Sequence, residues 1–364
     1  MKKIFTVLTS IALTFALSFS AAFANDDALM KSQNYLKTIT LDSPDAVIAY
    51  EATGMEADYK ADALLNNFKE TDYVTASYGD LAKSIIAISL LGENPKDFNN
   101  TNLVEILENR VQEDGTLTND VNGGCGATIW TLMALETVNS PKVKAVADKL
   151  STMAMENGAY WYEYQGPNAD LDTTGWAMEA LSVAGRSTYK AAISKAYTFV
   201  QSKLNSTDGY YDNWGGNADT QSCVLEGLSV AGYTLDTNAY NYLLSYQNED
   251  GTFNALNYST GQLEPNAYAS VEGARALGVI NNGSFVLMAR RDYTNVVTEP
   301  ETPTTPTTPS TTTPAVKPET TTTEPKKETV KVVNTGDNTN VMAYVVAAIA
   351  AVGVIVLVIK SKKK

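Results

Sequence analysis

Six apolar segments recur along the chain at nearly constant spacing, and this repeat restricts the fold more than any other feature of the sequence. Each segment follows a polar, Asn- or Asp-rich loop and ends in Gly or Asn. Those residues favour the left-handed conformation that closes a helix, so each segment is predicted to be an α-helix. The terminating residues are 38, 47, 46, 47 and 46 positions apart: Gly54, Gly92, Asn139, Gly185, Gly232 and Gly278.

Segments with a charged face alternate with the apolar ones. Residues 140–155, 187–204 and 237–247 are amphipathic, as expected of helices that cover a core. The apolar helices are predicted to be buried on more than one side. Strand patterns are absent from the sequence, so the repeat predicts an all-α fold, an α6/α6 toroid in which six apolar helices form an inner ring and six amphipathic helices surround it.

One loop between two predicted helices contains a motif that also occurs in other helical-repeat proteins. The segment YLLSYQNEDGTF contains Gln247, Asp250, Gly251 and Phe253, and VQEDGTL, which begins at Val111, is a weaker copy. The segment resembles the Gln-x-x-Asp-Gly-x-aromatic repeat of terpene cyclases and protein prenyltransferases, the superfamily with squalene-cyclase-type repeats. In such a loop the Asp-Gly pair forms the turn, the Gln binds the next helix and the aromatic ring packs between repeats.

This resemblance extends over residues 26–290 and implies the toroid fold, whereas it says less about function. The repeats DTTGWAMEAL and NADTQSCVLEGLSVAG are also distantly similar to those of the cobalamin carriers. That similarity adds a corrinoid to the candidate ligands.

The beginning of the chain carries an export signal. Two lysines precede an apolar run, and the small-x-small sequence Ala22-Phe23-Ala24 follows it, so residues 1–24 are predicted to be a signal peptide. Residues 25–297 are predicted to form the folded domain. Residues 298–333 are rich in Thr and Pro and are predicted to be an extended stalk.

Residues 334–364 are predicted to anchor the chain. Residues 341–359 contain no charge, would span about 28 Å as a helix and could cross a bilayer. The preceding NTGD, with Thr335 and Gly336, resembles the sorting signal of Gram-positive bacteria, although Val332-Val333 stands where that signal has Leu-Pro. We expect display on the extracellular face of a Gram-positive cell, either joined to the cell wall by a sortase or held by the membrane helix alone.

The composition of the chain excludes several kinds of partner and site. The net charge of −14 argues against a nucleic-acid partner. The chain has no His, which excludes the zinc site of the prenyltransferases, and neither a metal nor a cofactor is predicted. Cys125 and Cys223 are predicted to be buried thiols rather than a disulfide, and Thr128 stands where complement-like toroids have the Gln of their thioester.

The segment NADLDTTGWAMEAL contains two candidate catalytic acids, Asp170 and Asp172. DLDTT resembles a variant of the Asp-x-Asp-Asp motif of class II terpene cyclases, which implies that Asp172 protonates an alkene. The alternative interpretation is structural. Asp172-Thr173 and Asp219-Thr220 each stand thirteen residues before a repeat Gly, and Asp is a preferred N-cap. We expect Asp172 and Asp219 to cap their helices and to ionise near pH 4, as exposed aspartates do.

A second acidic series lies six residues before three of the repeat glycines: Glu179, Glu226 and Glu272. These carboxyls could line a lumen or stabilise contacts between repeats. A structural role is favoured, because a buried carboxylate must be paired.

The loops that enter the fourth and fifth inner helices are unusually aromatic and are predicted to meet at one mouth of the ring. Aromatic faces beside amides suit a sugar, a corrin or another amphiphilic ligand, although the rings could also simply cover the end of the fold. The candidate ligand-binding residues are Tyr160, Trp161, Tyr162, Tyr164, Asp170, Tyr210, Tyr211 and Trp214, beside Asn168, Asn213 and Asn217.

The sequence therefore predicts an extracellular ligand-binding or adhesion module that binds a small molecule or glycan without turnover. The alternative is a secreted carbohydrate-active enzyme in which Asp172 and Asp219 face each other. A terpene-cyclase-like enzyme with Asp172 as the acid is the third hypothesis.

Overall fold

The computed structural model describes residues 26–57, 62–120, 123–162, 166–213 and 215–291. The predicted signal peptide, stalk, sorting signal with Thr335 and Gly336, and membrane helix all lie outside these residues. Within them, no helix has both the length and the apolar character needed to span a bilayer.

The described chain is predominantly α-helical, as predicted. The helices are α1 (Asp26–Leu36), α2 (Pro44–Ala52), α3 (Asp62–Glu70), α4 (Tyr78–Leu90), α5 (Leu103–Glu108), α6 (Gly126–Thr137), α7 (Val143–Met153), α8 (Leu171–Gly185), α9 (Lys190–Ser202), α10 (Ala218–Val230), α11 (Thr237–Leu244), α12 (Ala267–Asn282) and α13 (Phe285–Ala289).

One β-hairpin interrupts the helices and was not predicted. Strands β1 (Phe253–Asn257) and β2 (Gln262–Asn266) pair antiparallel, with Leu256 opposite Leu263. Asn, Glu and Pro dilute the apolar alternation in these strands, so no strand pattern is visible in the sequence. The hairpin ends where α12 begins, and Phe253 at its base is fully buried.

The six predicted apolar helices are α2, α4, α6, α8, α10 and α12. All twelve residues of α6 are buried, which explains why its sequence shows no polar face. Each of these helices contacts the next in chain order, and α12 contacts α2. Cys223 meets Glu272, and one turn later Glu226 meets Arg275, so α10 and α12 run in the same direction.

Four of the six terminating residues adopt positive φ angles beyond the last helical turn, as predicted: Gly54, Gly92, Asn139 and Gly232. The prediction is wrong for Gly278, which lies inside α12. A Cβ there would lie 2.5 Å from the carbonyl carbon of Ala52, so this glycine allows α12 to approach α2. Gly185 is the last residue of α8 and has a φ of +156°, outside the left-handed helical region.

The amphipathic segments form α7, α9 and α11, as predicted, and α1 packs against α12 and α2. Gln247 Nε2 donates to the Ala28 carbonyl oxygen at 2.9 Å and to Ser32 Oγ at 3.0 Å. Gln247 therefore binds a helix, as predicted, but that helix is α1, the first in the described part of the chain, and not the one that follows the loop. This contact joins the last repeat to α1.

Four loops share one backbone arrangement. Gly115, Gly158, Gly209 and Gly251 all have φ between +82° and +90°. A Cβ at any of them would lie 2.0 to 2.4 Å from a backbone carbonyl oxygen of a following helix or, for Gly251, of α1. No side chain fits at these positions, so the loops require glycine for both its conformation and its size.

The short helix α13 covers the C-terminal ends of several long helices. Asn282 Nδ2 donates to the last carbonyl of α2, and the Arg291 backbone N–H donates to the last carbonyl of α6. Ser284 Oγ donates to Glu179 Oε1 at 2.6 Å, and Phe285 stacks on Trp130. This end of the helix assembly is therefore closed by protein.

Gly251→Ala is expected to destabilise the domain far more than Gly261→Ala. Both glycines have positive φ, +86° and +69°, but only Gly251 has a backbone atom in the position of the new methyl group. We expect a loss of about 1 kcal/mol for Gly261→Ala and at least about 2 kcal/mol more for Gly251→Ala. Urea unfolding followed by circular dichroism measures both. Equal losses would show that the close approach of α1 is unimportant.

Candidate functional site

The cap of α8 is Asp170, and the prediction that Asp172 caps this helix is wrong by two residues. Asp170 Oδ2 accepts from the Thr173 N–H at 2.9 Å and from Thr173 Oγ1 at 2.5 Å, and its other oxygen accepts from Asn213. The side chain is 3% exposed. Asp170 is therefore a structural residue, and its burial also removes it from the candidate ligand contacts.

The cap of α10 also lies two residues before the predicted position. Asn217 accepts from the Thr220 N–H at 2.8 Å, so Asn217 is the cap and Asp219 is not. The repeated Asp-Thr pair marks the second and third helical positions, where the Thr N–H donates to the cap. Because Asp219 and Asp172 do not cap, their carboxyls are free to face the interior of the assembly.

Asp172 is partly buried beside other acids. Its oxygen lies 3.4 Å from Asn213 Nδ2. Burial, followed by the neighbouring Asp170 carboxylate, raises the pKa of Asp172 to about 8, against the stabilising hydrogen bond from Thr220. This pKa differs from the expectation that Asp172 ionises near pH 4, because most of the side chain is buried.

Asp219 and Glu272 complete a carboxyl cluster with Asp172, each on a different neighbouring helix. Burial raises the pKa of Asp219. Burial also raises the pKa of Glu272 to about 7, although Arg275 opposes the shift. Both carboxyls contribute to the raised pKa of Asp172, so the three groups share one electrostatic environment.

A buried network lies beneath the cluster. Arg275 Nε donates to both oxygens of Glu226, at 3.1 and 3.0 Å, and Arg275 Nη2 lies 3.7 Å from Glu272. Burial, and then the adjacent Glu226, raise the pKa of Glu179 well above its usual range. Arg275 thus connects Glu226 with Glu272, and Glu226 also influences Glu179 in the next repeat. Arg275 was not predicted as a functional residue, because its only signal in the sequence is a lone cation inside an apolar helix.

The predicted aromatic mouth is not a single cluster. Tyr160 and Tyr211 are fully buried and occupy the wedge position that Phe253 occupies in its own loop, so they cannot contact a ligand at the surface. Tyr210 packs on Tyr242 with ring centroids 5.5 Å apart. Of the remaining candidates, Trp161 and Tyr162 are half-buried, and Tyr164 and Trp214 lie outside the described residues.

A pocket of about 730 Å³ opens between the beginnings of α4 and α6. Three rings face it: Tyr78, Trp130 and Tyr162. Arg110 borders it and donates to the carbonyl oxygens of Tyr73 and Ala76. The other polar lining residues include Asn109, Asn119 and Asp120. Only Tyr162 was among the predicted ligand contacts, because the pocket joins segments that are distant in the sequence.

Trp130 connects this pocket to the interior. Its ring lies 5.8 Å from that of Trp176 on α8. Lys83 Nζ lies 4.6 Å from the Trp130 ring centroid and forms an ion pair with Asp45 at 2.8 Å. Residues from α2, α4, α6 and α8 therefore meet here in one continuous row.

Both cysteines are buried inside the helix assembly. Cys125 and Cys223 form no disulfide, as predicted. Cys223 Sγ lies 3.8 Å from Glu272, and burial raises the pKa of this thiol well above its usual range. A thiol of that kind is a poor nucleophile.

Comparisons with known proteins do not assign this chain to a family. No family model and no curated protein matches the chain. A crystal structure of a protein from Actinoplanes is similar over 72% of this chain and 90% of that chain, with 12% sequence identity and a TM-score of 0.43. A similarity at that TM-score establishes neither a shared fold nor a shared function.

The corrected caps predict a specific pattern of stability. Asp170→Ala and Asn217→Ala should each cost about 1 kcal/mol, because both remove the acceptor for a helix N–H. Asn217→Asp should be nearly neutral, because Asn and Asp cap equally well, and Asp172→Ala should cost less than either cap variant. Thermal unfolding of the four variants tests the assignment, and a loss in Asp172→Ala as large as that in Asp170→Ala would return the cap to Asp172.

Stability is expected to fall as the pH rises from about 5 to about 8. In the native chain Asp172 keeps its proton up to about pH 8, whereas in the unfolded chain it releases it near pH 4. The native state therefore binds more protons across this interval, and raising the pH favours unfolding. Asp172→Asn should recover about 1 kcal/mol or more at the alkaline end. Urea unfolding at several pH values measures this, and parallel pH profiles for the two proteins would contradict it.

Proposed function

We propose that the six apolar helices form the inner ring of an α6/α6 toroid of the squalene-cyclase-like superfamily. The unbroken order of helix contacts, closed by α12 against α2, supports this architecture. So do the repeated glycine loops and the bond from Gln247 to α1. The mouth of this proposed ring is the end at which the inner helices begin, and the lumen is the space that they enclose.

We further propose that the domain is an extracellular ligand-binding or adhesion module that acts without turnover. The observation that carries this proposal is the pocket beside the mouth, where Tyr78, Trp130 and Tyr162 combine apolar faces with amides and charged groups. Concave aromatic surfaces with a few polar groups are typical of small-molecule and glycan sites. A glycan, a corrinoid or another amphiphile of similar size is the proposed ligand.

Display at the cell surface belongs to the same proposal. The sequence patterns that predict a signal peptide, a Thr/Pro-rich stalk and a charge-free segment followed by lysines support export and anchoring on a Gram-positive cell. The NTGD sequence supports attachment to the wall by a sortase through Thr335, and the membrane helix alone is the alternative anchor.

One observation favours an enzymatic alternative. Burial raises the pKa of Asp172 to about 8, and Asp219 on the neighbouring helix adds to this shift, so Asp172 can supply a proton at neutral pH. Such an acid suits a terpene-cyclase-like reaction or, with Asp219 as the partner, glycan cleavage. Turnover that disappears in Asp172→Asn, while that variant remains folded, would establish this alternative over binding alone.

Ligand binding is tested by tryptophan fluorescence of the full chain, purified in a nonionic detergent and titrated with cell-wall glycans, host glycans and cobalamin. Trp130 lies in the pocket, so a ligand there should change the emission. Tyr162→Ala should weaken binding by about tenfold or more, whereas the matched control Tyr258→Ala, a 92% exposed ring on the hairpin, should bind normally. Unchanged affinity in Tyr162→Ala would remove the pocket as the site.

A further inference from the structure

The hairpin of β1 and β2 adds length that its repeat does not need for packing. In the preceding repeat, Ala218 at the start of α10 follows the buried Tyr211 by seven positions. In the last repeat, Ala267 at the start of α12 follows the buried Phe253 by fourteen positions. Both rings are fully buried, so the shorter loop closes its repeat as well as the longer one. The two strands therefore serve a purpose other than packing the helices.

The two faces of the hairpin have the opposite polarity to that expected of a strand pair on a protein surface. Alternate residues of a strand point to opposite faces, so Asn257 shares a face with the buried Phe253. Asn257 and Glu264 are half-buried on that face, where Asn257 Nδ2 donates to Glu264 Oε2 at 2.8 Å. On the other face Leu256 lies opposite Leu263, and these side chains are 47% and 56% exposed. Polar groups thus face the domain, while leucines face the solvent.

The exposed leucines belong to one continuous apolar strip. Pro265 follows Leu263 by two positions on the same face and is also exposed. Side chains on one face of paired strands are close enough to touch, so Leu256, Leu263 and Pro265 form a single surface, which we call the hairpin face. Adjoining exposed apolar groups are typical of interaction surfaces, whereas scattered ones are not.

The backbone of the hairpin is also open to a partner. Pro265 has no N–H, so it cannot exchange two hydrogen bonds with Asn254 opposite, and the Asn254 N–H donates to the Tyr246 carbonyl oxygen instead, at 2.9 Å. Pairs of the two kinds alternate along an antiparallel ladder, so the N–H and C=O groups of Leu256 and Leu263 also point out of the hairpin. In the part of the chain that the structure describes, no hydrogen bond reaches these groups. An extended segment can bond to them.

The chain around the hairpin carries negative charge only. Between Lys203 and Arg275 the sequence contains no Lys or Arg and nine Asp or Glu residues. Such a region attracts a positively charged partner and repels a negatively charged one. A second copy of this chain would bring the same acids to the contact, so charge disfavours it as the partner.

Two of these acids lie at the base of the hairpin face. Asn248 and Asn254 exchange side-chain hydrogen bonds at 2.9 and 3.1 Å, and Glu249 and Asp250 follow Asn248 in the chain. Glu249 lies 3.1 Å from Lys31 Nζ, yet its side chain is 94% exposed. An exposed ion pair of this kind contributes little energy, so both acids remain accessible to a cationic partner.

We propose that the hairpin face, with Glu249 and Asp250 at its base, binds an extended basic segment of another protein. The apolar side chains of that segment pack on Leu256, Leu263 and Pro265, and its Lys or Arg side chains pair with the acids. The open backbone groups favour an extended segment over a folded basic surface. The hairpin face shares no residue with the pocket, so this proposal does not depend on the ligand of the pocket.

The probe is a fluorescein-labelled octapeptide of alternating Lys and Val. The full chain, in a nonionic detergent, is added to the peptide while fluorescence anisotropy is measured, and detergent micelles without protein provide the blank. We expect saturable binding that weakens as the salt concentration rises, because salt screens the exposed charges. The same peptide with Glu in place of Lys, or with Ser in place of Val, should bind about tenfold more weakly or less.

Leu263→Thr and Glu249→Gln should each weaken binding of the Lys-Val peptide by about fivefold or more. Threonine retains a high preference for strands, so the hairpin should stay folded. Leu287→Thr is the matched control for the first variant, since Leu287 is 50% exposed on α13. Glu113→Gln is the control for the second, because Glu113 holds the equivalent position in the first glycine loop, with a side chain that is 99% exposed and pairs with Lys142 at 3.1 Å. Thermal unfolding of every variant verifies folding.

Absence of saturable binding, equal binding of the Glu-Val or Lys-Ser peptide, or equal affinity within either matched pair of variants would overturn the proposal. A second copy of the chain is the competing occupant of the hairpin face. Analytical ultracentrifugation of the unaltered chain should show no self-association. Self-association that disappears in Leu263→Thr would assign the face to a second copy instead.

Discussion

The close approach of backbones at four glycine loops determines how each repeat meets its neighbour. Each glycine holds a left-handed conformation against a carbonyl oxygen, and a single methyl group would separate the two segments. Gly175 and Gly227, inside α8 and α10, allow a similarly close approach in ordinary helical conformation, since a Cβ on Gly227 would lie 2.1 Å from the Gly175 carbonyl oxygen. With the repeats fixed in this way, the inward faces of neighbouring helices meet at matching heights.

That alignment explains why acids accumulate in the interior. Asp219 and Glu226 on α10 contribute to the raised pKa values of Asp172 and Glu179 on α8, respectively. Repetition of an inward carboxyl therefore concentrates acidic groups in the interior, and Arg275 pairs with two of them, Glu226 and Glu272. No ion pair is seen for Asp172 or Asp219 among the described residues, and burial raises the pKa of both.

Much of the helical fold could be predicted from the sequence, because helices buried on all sides show apolar stretches that repeat. The positions of the residues that cap these helices could not be predicted. Asp-Thr repeats so regularly that it resembles a cap, while the true caps, Asp170 and Asn217, differ in residue type. The pocket around Tyr78 and Trp130 also escaped prediction, since it depends on contacts between distant segments. Burial of Tyr160 and Tyr211 could have been inferred from their match to the wedge position of Phe253.

The chemistry proposed for the interior depends on whether Asp172 holds its proton at neutral pH. Carbon-13 NMR of the side-chain carboxyl in the aspartate-labelled full chain measures the protonation state, with the signal assigned by its absence in Asp172→Asn. We expect a carboxyl resonance that stays in its protonated position at pH 7 and titrates with a pKa of about 8. A resonance that titrates near pH 4, as in an exposed aspartate, would contradict it.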